Sequence, residues 1–424
     1  MYNVIINSSC NLSCDYCFAG EFMETAVSSP SSKKNMDVNL FREVLNFLKS
    51  SGANYVSLMG GEPTLHPEFQ SFWLMAKEMK IPFSLKTNAL WSSEMLSFFN
   101  FNKSSYYSFH LNLNDPTNLT KKEWDRIRYN VLHLDAKEIR AQLNITSPDF
   151  EFDWFLDLAK EANITEIYWS LAAPIAGGKE KNKFAPQKNF RDEFGYKIEA
   201  FLSTAHDLGF KTMGIHGPTP CLVSSELYSK IRDRGGEIDG KCLPVFDIFP
   251  DRSVHYCFPL KGKVFVPLID DFSSLQEIEN SLIRETMVLR AISFPWDDCL
   301  WCPEALSNNC HGGCIAQKRI VDRGLDENWT HFDEMVPRLD PKAYADQQFF
   351  LWMGKPQTVE NSDLSILAEC NGKNSLREIF ESQSIGLSRF QLVRERDSFS
   401  NKIANFVRRG WIFLQPMKVS KELR

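Results

Sequence analysis

The stretch NSSCNLSCDYCFAG, residues 7–20, puts Cys10, Cys14 and Cys17 within eight positions. A four-coordinate metal or cluster site normally takes four protein ligands. No Cys or His follows soon after Cys17 to supply the fourth. Structural zinc sites pair one CxxC with a second pair, so the spacing favours an iron–sulfur cluster held by three thiolates with one iron open to an outside ligand. A zinc site remains the alternative reading of the three cysteines alone.

The flanking sequence supplies the frame. Short runs rich in β-branched and aromatic residues occur at 2–7 (YNVIIN), 53–59 (ANYVSLM), 82–87, 106–113, 138–145 and 165–171. Helical patterns separate them. DVNLFREVLNFLKSSG places Leu40, Val44, Phe47 and Leu48 on one face, with Asp37 as N-cap and Gly52 as stop. Residues 67–80, 121–134, 149–162 and 188–208 repeat the pattern. Six strands alternating with helices predict parallel pairing and right-handed crossovers, in either an open doubly wound sheet or a barrel. Such folds place their chemistry at the C-terminal strand ends. The cysteine run follows strand one there, GGEP (60–63) follows strand two, TNA (87–89) closes strand three and NLND (112–115) closes strand four.

Composition narrows the class. The chain has 424 residues, 43% hydrophobic and 24% charged, enough for two or three domains. A net charge of −6 with dispersed Lys and Arg gives no basic stripe for nucleic acid. No apolar run reaches membrane-spanning length, and the first residues lack a secretory pattern. A cytoplasmic protein with no membrane partner is expected. Eleven cysteines then point to metal or cluster ligation rather than disulfides, because a reducing compartment keeps thiols free. Beyond the three at the start they fall at Cys221, Cys242 and Cys257, at Cys299, Cys302, Cys310 and Cys314, and at Cys370, the last read as a buried helix cysteine.

CxxxCxxC with Tyr16 before the last cysteine, followed by GGEP after the second strand, resembles the radical S-adenosylmethionine (SAM) superfamily. The resemblance implies an α/β fold with a partial (β/α)6 TIM-type barrel. It implies that Cys10, Cys14 and Cys17 bind a [4Fe-4S] cluster whose open iron is chelated by SAM. By position, Gly60, Gly61, Glu62 and Pro63 meet the methionine amino group, and Tyr16 packs by the adenine. Asn112 stands where the family often has a ribose-binding Ser. Thr87 and Asn88 match a strand-three TNG pattern, with Ala89 in place of Gly. The reaction implied is reductive SAM cleavage to a 5′-deoxyadenosyl radical that abstracts a substrate hydrogen, with flavodoxin or ferredoxin as reducing partner.

The later cysteines resemble a SPASM domain, an extension carrying auxiliary iron–sulfur clusters. By position, Cys242, Cys257 and Cys314 serve one cluster and Cys299, Cys302 and Cys310 a second. Cys221 could complete the first, and Asp326, His331 or Asp333 the second. Departures leave a single-cluster "twitch" version or a zinc site open: Arg252 replaces the usual glycine before the second hairpin cysteine, the Cys302–Cys310 spacing is longer, and no cysteine follows Cys314 in the family's place. The C-terminal pattern, from SILAECNGKNSLREIF to VRRGWIFL, reads as a winged-helix-like module. It is similar to the peptide-binding chaperone of pyrroloquinoline quinone biosynthesis, a RiPP recognition element that binds leader peptides. The expected domains are a radical SAM core at 1–210, a SPASM-like domain at 211–340 and the winged-helix-like domain at 345–424. The leading reading is a maturase that installs a thioether or carbon–carbon crosslink in a ribosomally made precursor peptide. The alternatives are a sulfatase-maturing type that forms formylglycine, and a non-catalytic iron–sulfur redox sensor.

Overall fold

All six expected strands form: β1 (Tyr2–Ile5), β2 (Val56–Met59), β3 (Phe83–Thr87), β4 (Tyr107–Leu113), β5 (Ile139–Ile145) and β6 (Glu166–Leu171). The computed structural model describes residues 2–20, 22, 35–104, 106–172, 190–243, 245–262, 264–292, 299, 302–306, 309–316, 335–339, 343–345, 350–352, 355–387, 389–409 and 411–416. Asp326, His331 and Asp333, with the Ser/Lys-rich stretch 28–34, lie outside the described residues.

The connecting helices are α1 (Val38–Ser50), α2 (Phe69–Glu78), α3 (Ser93–Phe101), α4 (Lys121–His133) and α5 (Asp153–Glu161). Asp37 caps α1 as the sequence predicts, its carboxylate accepting from Asn39 N and Leu40 N at 3.0 and 2.9 Å. Leu40, Phe41, Val44, Leu45 and Leu48 are buried on its inner face. Helix α3 has too short a pattern to stand out in sequence. Its start is set by Ser92, whose hydroxyl accepts from Met95 N at 3.2 Å.

The sheet continues past residue 210. Helix α6 (Phe190–Asp207) leads to β7 (Lys211–Ile215), and α7 (Ser225–Asp233) to β8 (Glu237–Ile238). Strands β1 to β8 pair in parallel and lie side by side in chain order. A doubly wound sheet reverses its strand order at a switch point. Here the order never reverses, so successive crossovers stay on one face and the sheet curls into a partial barrel. It stays open, because β1 pairs on its other side with β9 (Phe246–Ile248) rather than with β8. β10 (Val254–His255) and β11 (Phe265–Val266) then add antiparallel, giving the expected hairpin between Cys242 and Cys257.

Between sheet and helices lies a core in which Trp73 (1% exposed) meets Phe83, Phe99, Tyr107 and Phe109 at ring separations of 4.5–5.7 Å. Full burial of such a side chain is worth about 1.5–3 kcal/mol, enough to fix the angles of β3 and β4 and the groups at their ends.

The region from about 210 to 340, whose Gly-, Pro- and Cys-rich sequence shows few long periodic segments, holds one long helix. α8 (Leu275–Ile292) runs for 18 residues and buries Leu275, Ile278 and Leu282. Against it packs α11 (Arg389–Arg408), the last of three helices after α9 (Asn361–Glu369) and α10 (Leu376–Gln383). These helices share their own core of Leu364, Leu367, Cys370, Leu376, Ile379, Ile403, Phe406 and Trp411. β12 (Met335–Leu339) pairs antiparallel with β16 (Ile412–Pro416), and β13 (Ala343–Ala345), β14 (Phe350–Trp352) and β15 (Lys355–Gln357) form a second small sheet. Cys370 is 1% exposed and its thiol donates to Ile366 O at 3.3 Å. Among the described residues no helix is long and apolar enough to cross a membrane.

Candidate functional site

The cysteine loop leaves β1 at the C-terminal mouth of the barrel and is fastened to the segments after β2 and β3. Gly61 N donates to Asn7 O at 3.1 Å, Glu62 N to Ser9 O at 2.7 Å, and Asn7 Nδ2 to Glu62 O at 2.9 Å. A Cβ on Gly60 would fall 2.0 Å from Asn7 Oδ1, and one on Gly61 2.3 Å from Ser9 O. Both glycines are therefore required for the GGEP strand end to lie against the root of the cysteine loop.

Glu62 is fully buried. Its carboxylate accepts from Thr64 N and Oγ1 (3.2 and 2.7 Å), from Thr87 Oγ1 (2.9 and 3.0 Å to its two oxygens) and from Asn88 N (2.9 Å). Burial raises its pKa, and those donors pull the other way. The side chain thus ties the β2 end to the β3 end. Asn88 extends the tie to the cysteines: its Nδ2 donates to Asn11 Oδ1 at 2.8 Å and lies 3.9 Å from Cys10 Sγ. Asn114, just past β4, accepts from the Tyr16 hydroxyl and, at 3.5 Å, from the Cys14 thiol. Asn112 accepts from Asn144 Nδ2 on β5.

Cys10, Cys14 and Cys17 are partly buried and close enough for their charges to act on one another. Burial pushes Cys10 up to about 11 and Cys14 up to about 12, with the neighbouring thiols adding to the rise, and burial also raises Cys17. Three thiols gathered where none ionises readily suit a soft cationic centre, which would draw the protons off. Among the described residues no three His, Cys, Asp or Glu side chains converge as around a single ion. A multi-iron cluster sets its own atoms between the sulfurs, so its ligands need not converge on a point.

Inside the barrel the sequence reading missed a whole surface. On β4, β5 and β6 every second residue is polar: His110 and Asn112, Gln142 and Asn144, Tyr168 and Ser170. His110 Nε2 bonds Gln142 Oε1, Gln142 Nε2 donates to Asn144 Oδ1 (2.8 Å) and Ser170 Oγ (3.0 Å), and Ser170 Oγ donates to Asn144 Oδ1 (2.7 Å). Lys86, Asn112, Gln142, Asn144 and Tyr168 are only half-buried, and His216, beyond β7, is exposed. A packed TIM-type interior fills with branched apolar side chains. This one is a water-accessible polar chamber. The signal was the polar alternation in SFHLNLN and IRAQLNI, which reads equally as a solvent face. His255 is 4% exposed, stacked on Phe265 and bonded to Ser253 Oγ, as a packed histidine should be.

In the second cysteine block, Cys257 is flanked by Cys242 and Cys314; burial first, then those thiols and Asp247, raise its pKa well above the ordinary value. Gly240 O accepts from His311 N and Gly313 N at 3.0 and 2.9 Å, drawing the CHGGC segment against the chain before Cys242. A Cβ on Gly240 would lie 2.7 Å from Cys310 Sγ. Cys302 N donates to Cys299 O at 3.3 Å, while Asn309 N and Cys310 N donate to Glu304 O, closing that loop on itself. Cys221 is exposed, its sulfur 3.2 Å from Thr219 Oγ1.

Two positions noted as departures adopt glycine's backbone. Ala89 has φ +62° and Arg252 φ +72°, both in the left-handed region. Arg252 is held by Asp270 at 2.8 Å and Glu43 at 2.5 Å.

Residues 4–165 match the family model of the radical SAM superfamily. An S-adenosylmethionine-dependent nucleotide dehydratase from Thermoplasmatales archaeon (strain ISO4-H5) is 30% identical over 86 residues, 20% of this chain and 28% of that protein. The chain thus aligns with under a third of that relative. Among solved structures, Streptococcus suis SuiB bound to precursor peptide SuiA superposes with a TM-score of 0.52 at 15% identity, covering 74% of this chain and 71% of SuiB. Native anSMEcpe with bound AdoMet gives 0.53 at 17% identity, covering 74% and 89%. These two share the fold with this chain. The match to the radical SAM superfamily model thus spans β1 to β5 and takes in the cysteine run, GGEP and TNA.

Proposed function

We propose that the protein is a radical SAM enzyme acting on a precursor peptide. The observation that carries the reading is the fastening of the three-thiol loop to the β2 and β3 ends at the mouth of a hollow polar barrel. Cys10, Cys14 and Cys17 would hold a [4Fe-4S] cluster, leaving one iron for SAM. When bound, cluster and SAM supply reductive cleavage to a 5′-deoxyadenosyl radical, with flavodoxin or ferredoxin as electron source. Gly60, Gly61 and Pro63 would flank the methionine end. Glu62 acts from behind as a positioning residue, because its carboxylate is committed to Thr64, Thr87 and Asn88. Asn112 and Tyr16 would line the nucleoside side, and bound substrate would displace the chamber's water from the reacting atoms.

Cys242, Cys257 and Cys314 would hold one auxiliary cluster. Cys299, Cys302 and Cys310 would serve a second, with Cys221 as a further ligand candidate. The C-terminal helices and strands, with a core of their own, would bind a leader peptide by strand addition. The precursor peptide bound to SuiB, which has the same fold, supports a peptide substrate, and the product proposed is a thioether or carbon–carbon crosslink. The test is anaerobic reconstitution with iron and sulfide, then dithionite and SAM. 5′-Deoxyadenosine is the expected product, and its absence would sink the enzymatic reading.

A further inference from the structure

The cysteine loop and the hairpin after β9 meet in a small core of their own. Cys17 is followed by Phe18, and Gly20 N donates to Cys17 O at 3.1 Å to close a tight turn. Cys257 is followed by Phe258, and Leu260 N donates to Cys257 O at the same 3.1 Å. Each of these thiol residues thus opens a turn whose next side chain is a phenyl ring, and the two rings meet with centroids 5.3 Å apart. Phe22 from the loop and Phe249 from just past β9 complete the group. Phe22 lies 5.1 Å from Phe249 and 5.8 Å from Phe258, and Phe249 lies 5.0 Å from Phe258. All four rings are tilted or edge-on to one another, the arrangement that aromatic side chains favour when they pack.

Phe249 and Phe258 are 1% and 2% exposed, and they share this core with Ile5 of β1. Cys17 packs directly against it. None of the four rings belongs to the main barrel core, against which Cys257 packs. Lys261, three residues past Phe258, sets its ammonium group over Phe22 and Phe249, 5.2 and 5.1 Å from the ring centres. From Cys17 to Cys257 the line of contact therefore runs through phenyl rings supplied by the two cysteine-bearing segments themselves. Reduction adds a negative charge to an iron–sulfur cluster, and an apolar wall that shuts out water screens that charge poorly, which lowers the potential.

We propose that Phe18, Phe22, Phe249 and Phe258 form a dry partition between the Cys17 and Cys257 sites that holds down the reduction potential of the cluster at Cys10, Cys14 and Cys17. The four rings are positioning residues, since they act on the cluster through its surroundings. The proposal rests on the iron–sulfur reading of those three cysteines.

The experiment uses the reconstituted full chain without SAM and follows reduction by EPR at a series of fixed potentials. The first cluster's signal is the one that Cys14→Ala removes. Phe22→Gln and Phe249→Gln bring a polar group and water to the wall from the loop and from the hairpin. Each should raise the midpoint, increasing the reduced-to-oxidised ratio at a given potential about tenfold, which is about 59 mV for one electron. Phe22→Leu and Phe249→Leu keep the wall apolar and should change that ratio by less than about twofold. Iron and sulfide content reports whether each variant is loaded, and Phe22, being only half-buried, keeps the test open if Phe249→Gln fails to fold. Gln variants that titrate like the unmodified chain overturn the proposal. So do Leu variants that shift as far as the Gln variants, which would make packing the cause. If Cys14→Ala removes no signal, the iron–sulfur reading fails and the partition with it. Formation of 5′-deoxyadenosine by the unmodified chain is scored separately, so the enzymatic reading and the partition can fail independently.

Discussion

Glu62→Gln tests the tie between the β2 and β3 ends. The carboxylate receives four donors: Thr64 N–H and O–H, Thr87 O–H and Asn88 N–H. Hydroxyls can turn, but backbone N–H groups cannot. A glutamine amide nitrogen must face either Thr64 N–H or Asn88 N–H, and orphaning one buried N–H costs about 1–3 kcal/mol. Relief from burying a charge offsets part of this, leaving a loss of about 1–2 kcal/mol. The informative measurement is a cycle of Glu62→Gln, Thr87→Val and the double variant, by anaerobic urea unfolding. Trp91 Nε1 donates to Thr87 Oγ1 at 2.8 Å, so Thr87→Val carries a cost of its own. That cost cancels in the cycle, which isolates the Glu62–Thr87 contact. A coupling of about 0.5 kcal/mol or more is expected. Additivity within about 0.3 kcal/mol would refute the claim that Glu62 works through Thr87 and Asn88.

Cys14→Ala should abolish 5′-deoxyadenosine formation while auxiliary iron, counted by iron and sulfide analysis, remains; cleavage that survives would remove Cys14 from the cluster. Burial and Lys86 hold His110 down to about 3, so unfolding takes up a proton between the unfolded value near 6.5 and that figure. Stability is thus fully present above the unfolded value and is lost as pH falls through this window, by about 1.4 kcal/mol per pH unit for this one side chain; His110→Gln should flatten the slope of unfolding free energy against pH, and an unchanged slope would contradict the buried neutral ring. Arg252→Gly should be nearly neutral, since relief of about 1–2 kcal/mol of left-handed strain offsets two exposed ion pairs and the freer unfolded chain. Arg252→Val should be less stable than Arg252→Gly by about 1–2 kcal/mol in the same unfolding assay, and equal stabilities would mean that the backbone at 252 is not constrained.

The parallel barrel was legible in sequence because six strands carry a strong local signal and their order follows the chain. The rim was legible for the same reason: the cysteine run, GGEP and TNA each sit directly after a strand, so locating the strand locates the motif. The chamber was not legible. Whether His110 or Gln142 faces water or a cavity depends on how the sheet curls, and alternation along one strand is the same in both cases. α8 went unread because turn and cysteine residues around it outweighed its apolar spacing. The role expected of Glu62 also shifted, for no sequence pattern reveals that four donors from two other segments have already claimed its carboxylate.

Ala89 and Arg252 carry the last step. In sequence they count against the family resemblance, since each stands where glycine is usual. A residue that replaced glycine because the local backbone had changed would sit in an ordinary conformation. Both instead keep φ above +60°, a conformation that disfavours them. The left-handed geometry is present without the residue that suits it. Ala89 is fully buried directly after Asn88, and Arg252 lies in the hairpin that leads from β9 to Cys257. Each strained residue therefore adjoins a segment that carries a thiol or touches one. Where side-chain preference and backbone disagree, the backbone prevails in both segments, and it holds the β3 end and the hairpin in place beside their cysteines.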